Sequence, residues 1–190
     1  QMPQASDLPP LGRRGTADSP DIITTPAELN AMRQDRSAHY RLGINIDMAT
    51  AIIWNNGHGF EPIGVLPDFF TGSLDGANHT IANLPVYLSA RFPHYSFTAA
   101  GLFGHMRNAD IRHLRLERAF VNAGADGAGV LAGRAHSTHI ENVHVTDSMM
   151  LDGISGGIVG LLYGGQIKDS SAEAKVRGFF AGGLVSKTID

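Results

Sequence analysis

The sequence contains no cysteine, which excludes disulfides, thiolate nucleophiles and thiolate metal sites. Excess charge of either sign is also missing: 15 Lys and Arg against 18 Asp and Glu leave a formal net charge of −3 over 190 residues. So balanced a chain lacks the basic surface that nucleic acid requires. Its 43% hydrophobic content is too high for a disordered, self-repelling chain and is enough to build a core. Long apolar runs are absent as well. The most apolar stretch, residues 153–166, is interrupted by glycines and falls short of the roughly 18 uninterrupted residues of a membrane helix, so no membrane span is expected. The chain starts at Gln1 with neither a basic n-region nor an apolar h-region. The expectation is a removed signal or a piece of a longer protein. No His-Glu-x-x-His, Gly-x-Ser-x-Gly or phosphate-loop pattern occurs.

What the sequence has in excess is glycine, 23 residues, well above the usual share of about 7%. The glycines are ordered. Residues 100–104 (AGLFG), 129–133 (GVLAG), 156–160 (GGIVG) and 182–186 (GGLVS) are four copies of one pentapeptide, starting 29, 27 and 26 residues apart. Seven residues after the last glycine of the first three copies comes an isoleucine, Ile111, Ile140 and Ile167. Each opens a short alternating segment: Ile111, Leu114, Leu116; then Ile140, Val143, Val145; then, more weakly, Ile167, Ser170, Ala172. An earlier segment, Ile81, Leu84, Val86, sits 30 residues before Ile111. Two landmarks sharing one period define a repeat protein.

A period near 27 residues, made of short strands and glycine corners, specifies an all-β solenoid. In a parallel β-helix each repeat is one coil, and equivalent residues stand about 4.8 Å apart. Leu102, Leu131, Ile158 and Leu184 are expected to form one interior column, and Ile81, Ile111, Ile140 and Ile167 another. The glycines are expected to supply positive φ at corners and close backbone approach. A leucine-rich-repeat horseshoe has a similar period, but its signature and helical return are missing. Before the coils, residues 1–20 carry four prolines and no apolar periodicity, a flexible arm. Residues 21–50 hold a short capping helix and a first strand. Thr25, Pro26 and Glu28 form a capping box with proline in the first turn, and Leu29 and Met32 give the helix an apolar face. Tyr40, Leu42, Ile44 and Ile46 alternate with polar residues, a half-buried strand. Residues 51–190 are assigned to the coils, which are expected to continue beyond this fragment.

The pentapeptides resemble the GLUG repeat of bacterial surface and secreted proteins, found in large adhesins and in non-catalytic regions of some bacterial peptidases. Residues 21–48 resemble the lead-in of such proteins, and Glu61-Pro62-Ile63-Gly64 with residues 70–76 (FTGSLDG) match the segment entering the first coils. The resemblance covers roughly residues 21–186. Departures fall at Ala77-Asn78-His79, where the family shows Asn-Gly-His, and at Ser186, which replaces the last motif glycine. The resemblance implies a right-handed parallel β-helix serving as stalk or adhesive surface, secreted or at the bacterial cell surface.

Coil stacking turns the repeat into a table of neighbours. Asn83, His113, Asn142 and Asp169 form a polar ladder at a corner. Ala82, Arg112, Glu141 and Lys168 form a solvated ladder whose charges alternate, each opposite pair contributing about 0.2–1 kcal/mol. His136, His139, His144 and Asp147 are the densest metal-ligand types, but their spacing imposes no convergence of the three or four ligands that zinc needs, so no metal or other cofactor is assigned. His58 and His105, flanked by glycines, read as exposed loop residues. A polysaccharide-cleaving β-helix, hydrolase or lyase, is the enzymatic alternative. It needs paired carboxylates, and Asp47, Glu61, Asp68 and Asp75 are the acidic residues near the lead-in coils. An ice-binding array is excluded because the equivalent positions carry Arg, Glu, Lys and His. The preferred reading is a structural or adhesive module with no catalytic residue. Its expected partner is a surface glycan or protein; Tyr87, Phe92, His94, Tyr95 and Phe97 on one insertion are candidate contacts, the alternative being local packing of that long loop onto the coil. End-to-end self-association or further coils would cover the open end.

Overall fold

The structure is a computed structural model that describes residues 15–88, 99–122, 127–151, 153–177 and 180–189. It is an all-β chain with little helix. The strands are β1 (Asp21–Ile23), β2 (His39–Leu42), β3 (Ile46–Asp47), β4 (Ser73–Asp75), β5 (Thr80–Ala82), β6 (Pro85–Tyr87), β7 (Phe103–Arg107) and β8 (Asp110–Glu117). They continue with β9 (Phe120–Asn122), β10 (Ala132–Leu151), β11 (Ile154–Gly156), β12 (Val159–Lys168), β13 (Ser171–Arg177), β14 (Phe180–Gly182) and β15 (Val185–Ile189). Thirteen of them join one sheet whose main path runs β1-β2-β4-β8-β10-β12-β15, while β11 and β14 pair separately. Every pairing between these strands is parallel. From β7 onward the partner lies one sequence repeat away, as with Ile140 beside Ile111 and Ile167 beside Ile140.

A backbone device with a period of five residues generates the inward pattern. Asn108, His113 and Arg118 are left-handed, with φ of 51, 53 and 51°. In the next rung Ser137, Asn142 and Asp147 are left-handed (46, 53 and 48°), and in the next Gly164 and Asp169 (64 and 48°). Each such residue bends the strand and resets its alternation, so the residues one and three places later point inward. Ala109, Ile111, Leu114, Leu116, Ala119 and Val121 are buried accordingly, as are Ile140, Val143, Val145 and Met150. Asn, Asp and His tolerate this conformation better than other side chains. At three corners a hydroxyl follows and closes the turn: Thr138 donates to the His136 carbonyl (3.0 Å), Ser148 to Thr146 (2.9 Å) and Ser170 to Lys168 (2.7 Å).

The register differs from expectation at the first coil. The column through Ile111, Ile140 and Ile167 continues to Leu74 and Tyr40, not to Ile81. Ile81 stands between Ile46 and Leu116, in the column that continues to Val145 and Ala172. The physical reason is the corner at Gly76–Asn78. It puts Ile81 seven positions after Leu74, whereas Leu116 comes five positions after Ile111.

The repeat glycines also act differently. Gly101, Gly129, Gly133, Gly156 and Gly160 are not left-handed; their role is close approach. A Cβ on Gly129 would lie 2.4 Å from the carbonyl oxygens of both Ala132 and Ile158. Leu102, Leu131 and Ile158 are fully buried, but Leu184 is 38% exposed and Phe180 67%. They lie at the end where β15 and β14 have a partner on one side only. Ile44 is exposed too, because the chain turns between β2 and β3, with the Gly43 amide donating to the Ile23 carbonyl (2.9 Å).

The N-terminal helix α1 (Pro26–Ala31) is capped by Thr25, whose hydroxyl accepts from the Glu28 amide (3.1 Å). The Glu28 carboxylate reaches the Thr24 amide (2.6 Å), so the box closes one residue earlier than the sequence suggests. Arg33 fastens this region to the following insertion by donating to the Asn30 side chain (2.8 Å) and the Glu61 carbonyl (2.7 Å). That insertion is core: Phe60, Ile63 and Phe70 are fully buried, and Phe70 lies 4.4 Å from Phe103 between ring centroids. Of the expected arm, residues 15–20 are described, and the Gly15 carbonyl accepts from the His39 amide (3.1 Å).

Because Gly129 has backbone on two sides, Gly129→Ala is expected to destabilise the fold by about 1–3 kcal/mol. Asp147→Gly, at an exposed left-handed position, should stay within about 0.5 kcal/mol. Urea unfolding followed by circular dichroism separates the two.

Candidate functional site

The inward positions are apolar apart from a few such as Thr138 and Ser148, whose hydroxyls are engaged by corner carbonyls, so the candidate chemistry lies on the outward columns. One column reads Arg41, Asp75, Arg112, Glu141, Lys168 on successive paired strands, alternating in sign over five rungs. Arg112, Glu141 and Lys168 were legible as a ladder; Ala82 belongs elsewhere, beside Asp47 and Glu117, for the reason of register given above. Arg41 lies 3.9 Å from Asp75 and Lys168 3.6 Å from Glu141. Arg112 is held within its own strand by Asp110 (Nε to Oδ1, 3.0 Å). That hydrogen bond, with the charges of Asp110, Asp75 and Glu141, raises the Arg112 pKa. The His139 hydrogen bond and the Lys168 charge hold Glu141 below the usual carboxylate range.

A second column runs alongside: His39, Ser73, Asp110, His139, Gln166. His39 Nδ1 is 2.7 Å from Ser73 Oγ, and His139 bridges Gln166 (2.8 Å) and Glu141 (3.3 Å). Further round, His144 joins Ser171 (2.7 Å) and Asn142 (2.8 Å), and Asn142 joins His113 (2.9 Å). Asn142 and Asp169 share the left-handed corner with His113, as the expected polar ladder requires, whereas Asn83 lies at the Arg118 corner.

A third column, Arg107, His136, Tyr163, carries π systems. His136 and Tyr163 stack at 4.4 Å with planes 6° apart. The Arg107 guanidinium lies 3.8 Å from the centroid of Phe69, whose ring meets His105 and His136 edge-on at 5.8 Å. Burial, followed by the charges of Arg107 and Arg134, lowers the His136 pKa. His105 is buried at 3% exposure under Phe69 rather than exposed in a loop.

The structure does not bring the metal-type quartet together. His136, His139, His144 and Asp147 are strung along β10, and the three histidines have the separate neighbours just given. Among the described residues no group of three or more His, Asp or Glu could hold a metal ion.

The four carboxylates of the enzymatic alternative are equally scattered. Asp47 accepts from the Asn83 amide (2.8 Å) and the Ala49 backbone (2.9 Å), which lowers its pKa; a general acid needs the reverse. Asp68 pairs with Arg36 (3.3 Å), and Asp75 with Arg41 and the Ala77 amide (2.8 Å). Glu61 is half-buried beside Arg33, whose pKa burial lowers and Glu61 raises. Tyr87 stacks on Phe120 at 5.0 Å, while Phe92, His94, Tyr95 and Phe97 lie outside the described residues. Arg41, Phe69, Asp110, Arg107 and Tyr163 escaped sequence reasoning because their positions depend on pairing across coils of unequal length.

No protein-family model matches the chain. It is 36% identical over 155 residues to a halomucin of Haloquadratum walsbyi, covering 77% of this chain and 2% of the halomucin. It is 31% identical over 140 residues to a protein of Evansella cellulosilytica provisionally described as a Gly-rich membrane protein, covering 70% of this chain and 15% of that protein. The chain therefore spans a small fraction of the curated relatives it matches. A solved chain from Bacteroides ovatus, provisionally described as an immunoglobulin A1 protease, aligns with 90% of this chain and 72% of its own at 17% identity, with a TM-score of 0.44. No helix among the described residues is long and apolar enough to cross a membrane.

Two measurements check the electrostatics. Glu141→Lys places three cations in consecutive rungs and should lower the unfolding midpoint at low salt. The loss should shrink at 1 M salt, where the Debye length is about 3 Å. His136 should titrate by NMR below the ordinary histidine value of about 6.5, and Arg107→Ala should raise its pKa. Since folding depresses this pKa, the neutral imidazole's contribution is complete above about pH 6.5 and is lost as pH falls through the folded value.

Proposed function

We propose that the chain is a non-catalytic structural and adhesive module of a secreted or cell-surface protein, built as a right-handed parallel β-helix of GLUG-type repeats. The observation that carries this reading is the five-rung charge column on parallel strands. Four of its five charges pair between neighbouring strands, Arg41 with Asp75 and Lys168 with Glu141, and Arg112 is held by Asp110, which favours a rigid spacer with a patterned surface over a catalytic cleft. The parallel pairings at the repeat spacing support the β-helix. The names of the two relatives, a halomucin and a membrane protein, support a place at the cell surface. The partner of such a module is a surface glycan or protein. The end carrying Phe180 and Leu184 is covered by further coils or by end-to-end association.

The test is incubation with a panel of acidic and neutral polysaccharides, following retention on the polymer and the appearance of new chain ends. Retention without new ends is expected. Release of ends, abolished by Asp75→Asn or Asp47→Asn in a folded variant, would establish the polysaccharide-cleaving alternative instead.

A further inference from the structure

Beside the aromatic column lies a cleft of about 400 Å³, lined by Gln34, Arg36, Pro67, Phe69, Thr71 and Arg107 among others. We propose that this cleft binds the carboxylate or sulfate groups of an acidic glycan, read by Arg107, with His136 and Tyr163 contacting the same polymer on the next two rungs. The proposal rests on the adhesive reading and supplies its ligand class and site.

The acidic side chains at the rim are already engaged. Asp68 pairs with Arg36 at 3.3 Å, and Asp35 accepts from the Ser37 amide (3.1 Å) and hydroxyl (2.8 Å). Arg107 is the exception. It is exposed, and it has no carboxylate partner among the described residues. Its guanidinium instead stacks on the half-buried Phe69 ring at 3.8 Å. Stacking fixes the plane of the fork and leaves its N–H donors facing sideways, the geometry for bidentate capture of a planar oxyanion.

The outward column continues beyond the cleft. His136 and Tyr163 occupy the equivalent outward position on the following rungs, and neither polar tip has a hydrogen-bond partner among the described residues. Rungs are about 4.8 Å apart, so an extended chain lying along the column meets one polar tip per rung. A lone anion would meet Arg107 alone. His136 is kept neutral near pH 7 by its burial and by Arg107 and Arg134. It therefore suits hydroxyls and leaves a single cation to select the charge. An arginine without a carboxylate partner, on a chain of net charge −3, fits a polymer of spaced acidic groups better than a dense polyanion or an anionic membrane.

The experiment is calorimetric titration of the full chain with oligogalacturonate, chondroitin sulfate oligosaccharide and neutral cello-oligosaccharide. Arg107→Ala, Arg107→Lys, Tyr163→Phe and the remote control Lys168→Ala are compared, each checked for folding by circular dichroism. Binding of at least one acidic oligomer is expected, weakened about tenfold or more by Arg107→Ala. Arg107→Lys should weaken it comparably, Tyr163→Phe less, and Lys168→Ala not at all. Acidic-glycan binding that survives Arg107→Ala overturns this site while leaving the adhesive reading in place. Binding to none of the oligomers, or to the neutral one alone, overturns the site and leaves a protein partner for the adhesive reading. Cleavage that still requires Arg107 for binding upholds the site and overturns only the non-catalytic assignment.

Discussion

The structure depends on one backbone constraint, a short run of left-handed residues spaced five apart in each repeat. A strand left alone would carry its alternation straight on and could not bring the chain back over itself. The residues at Asn108, His113 and Arg118, and at Ser137, Asn142 and Asp147, turn it at fixed intervals. Because the same positions turn in successive rungs, each side chain is set beside its counterpart in the next. The hydroxyls of Thr138, Ser148 and Ser170 close three of these corners by donating to the carbonyl two residues back.

From that geometry both surfaces follow. Inside, small and aliphatic residues meet their own kind from rung to rung, and the repeat glycines let neighbouring backbone come closer than any Cβ would allow. Outside, side chains are held in columns, so like charges would repel along the whole length unless their signs alternated. They do so from Arg41 to Lys168. The polar outside is thus part of what holds the rungs in register, and most of its charges are committed. Arg107 differs from Arg41 and Arg112 of that ladder, with an aromatic ring where they have a carboxylate. That difference is why this column, and not the denser histidine cluster or the scattered aspartates, supplies the candidate contact surface.

The chain is similar to short portions of much longer proteins. In a module whose shape repeats along its length the function of the whole belongs to many rungs, and a site is most readily built where a coil departs from the rest. The insertion from Pro62 to Phe70 is such a departure, and it delivers Phe69 beside Arg107 and His136.

The sequence alone determined the period, the all-β class, the capped N-terminal helix and the inward sets Ile111, Leu114, Leu116 and Ile140, Val143, Val145, because apolar spacing along a chain reports burial directly. Even the two-residue gap after each isoleucine was written there, although its cause, a left-handed residue, was not. What only the tertiary structure decided was which rung faces which. The longer corner at Gly76–Asn78 moves Ile81 into a different column from Ile111 and brings Asp75 and Arg41 into the charge ladder. It also took the fold to bury His105 and to set Arg107 on Phe69. Those contacts join residues tens of positions apart, and their pairing depends on the exact length of every corner between them, which local periodicity does not record.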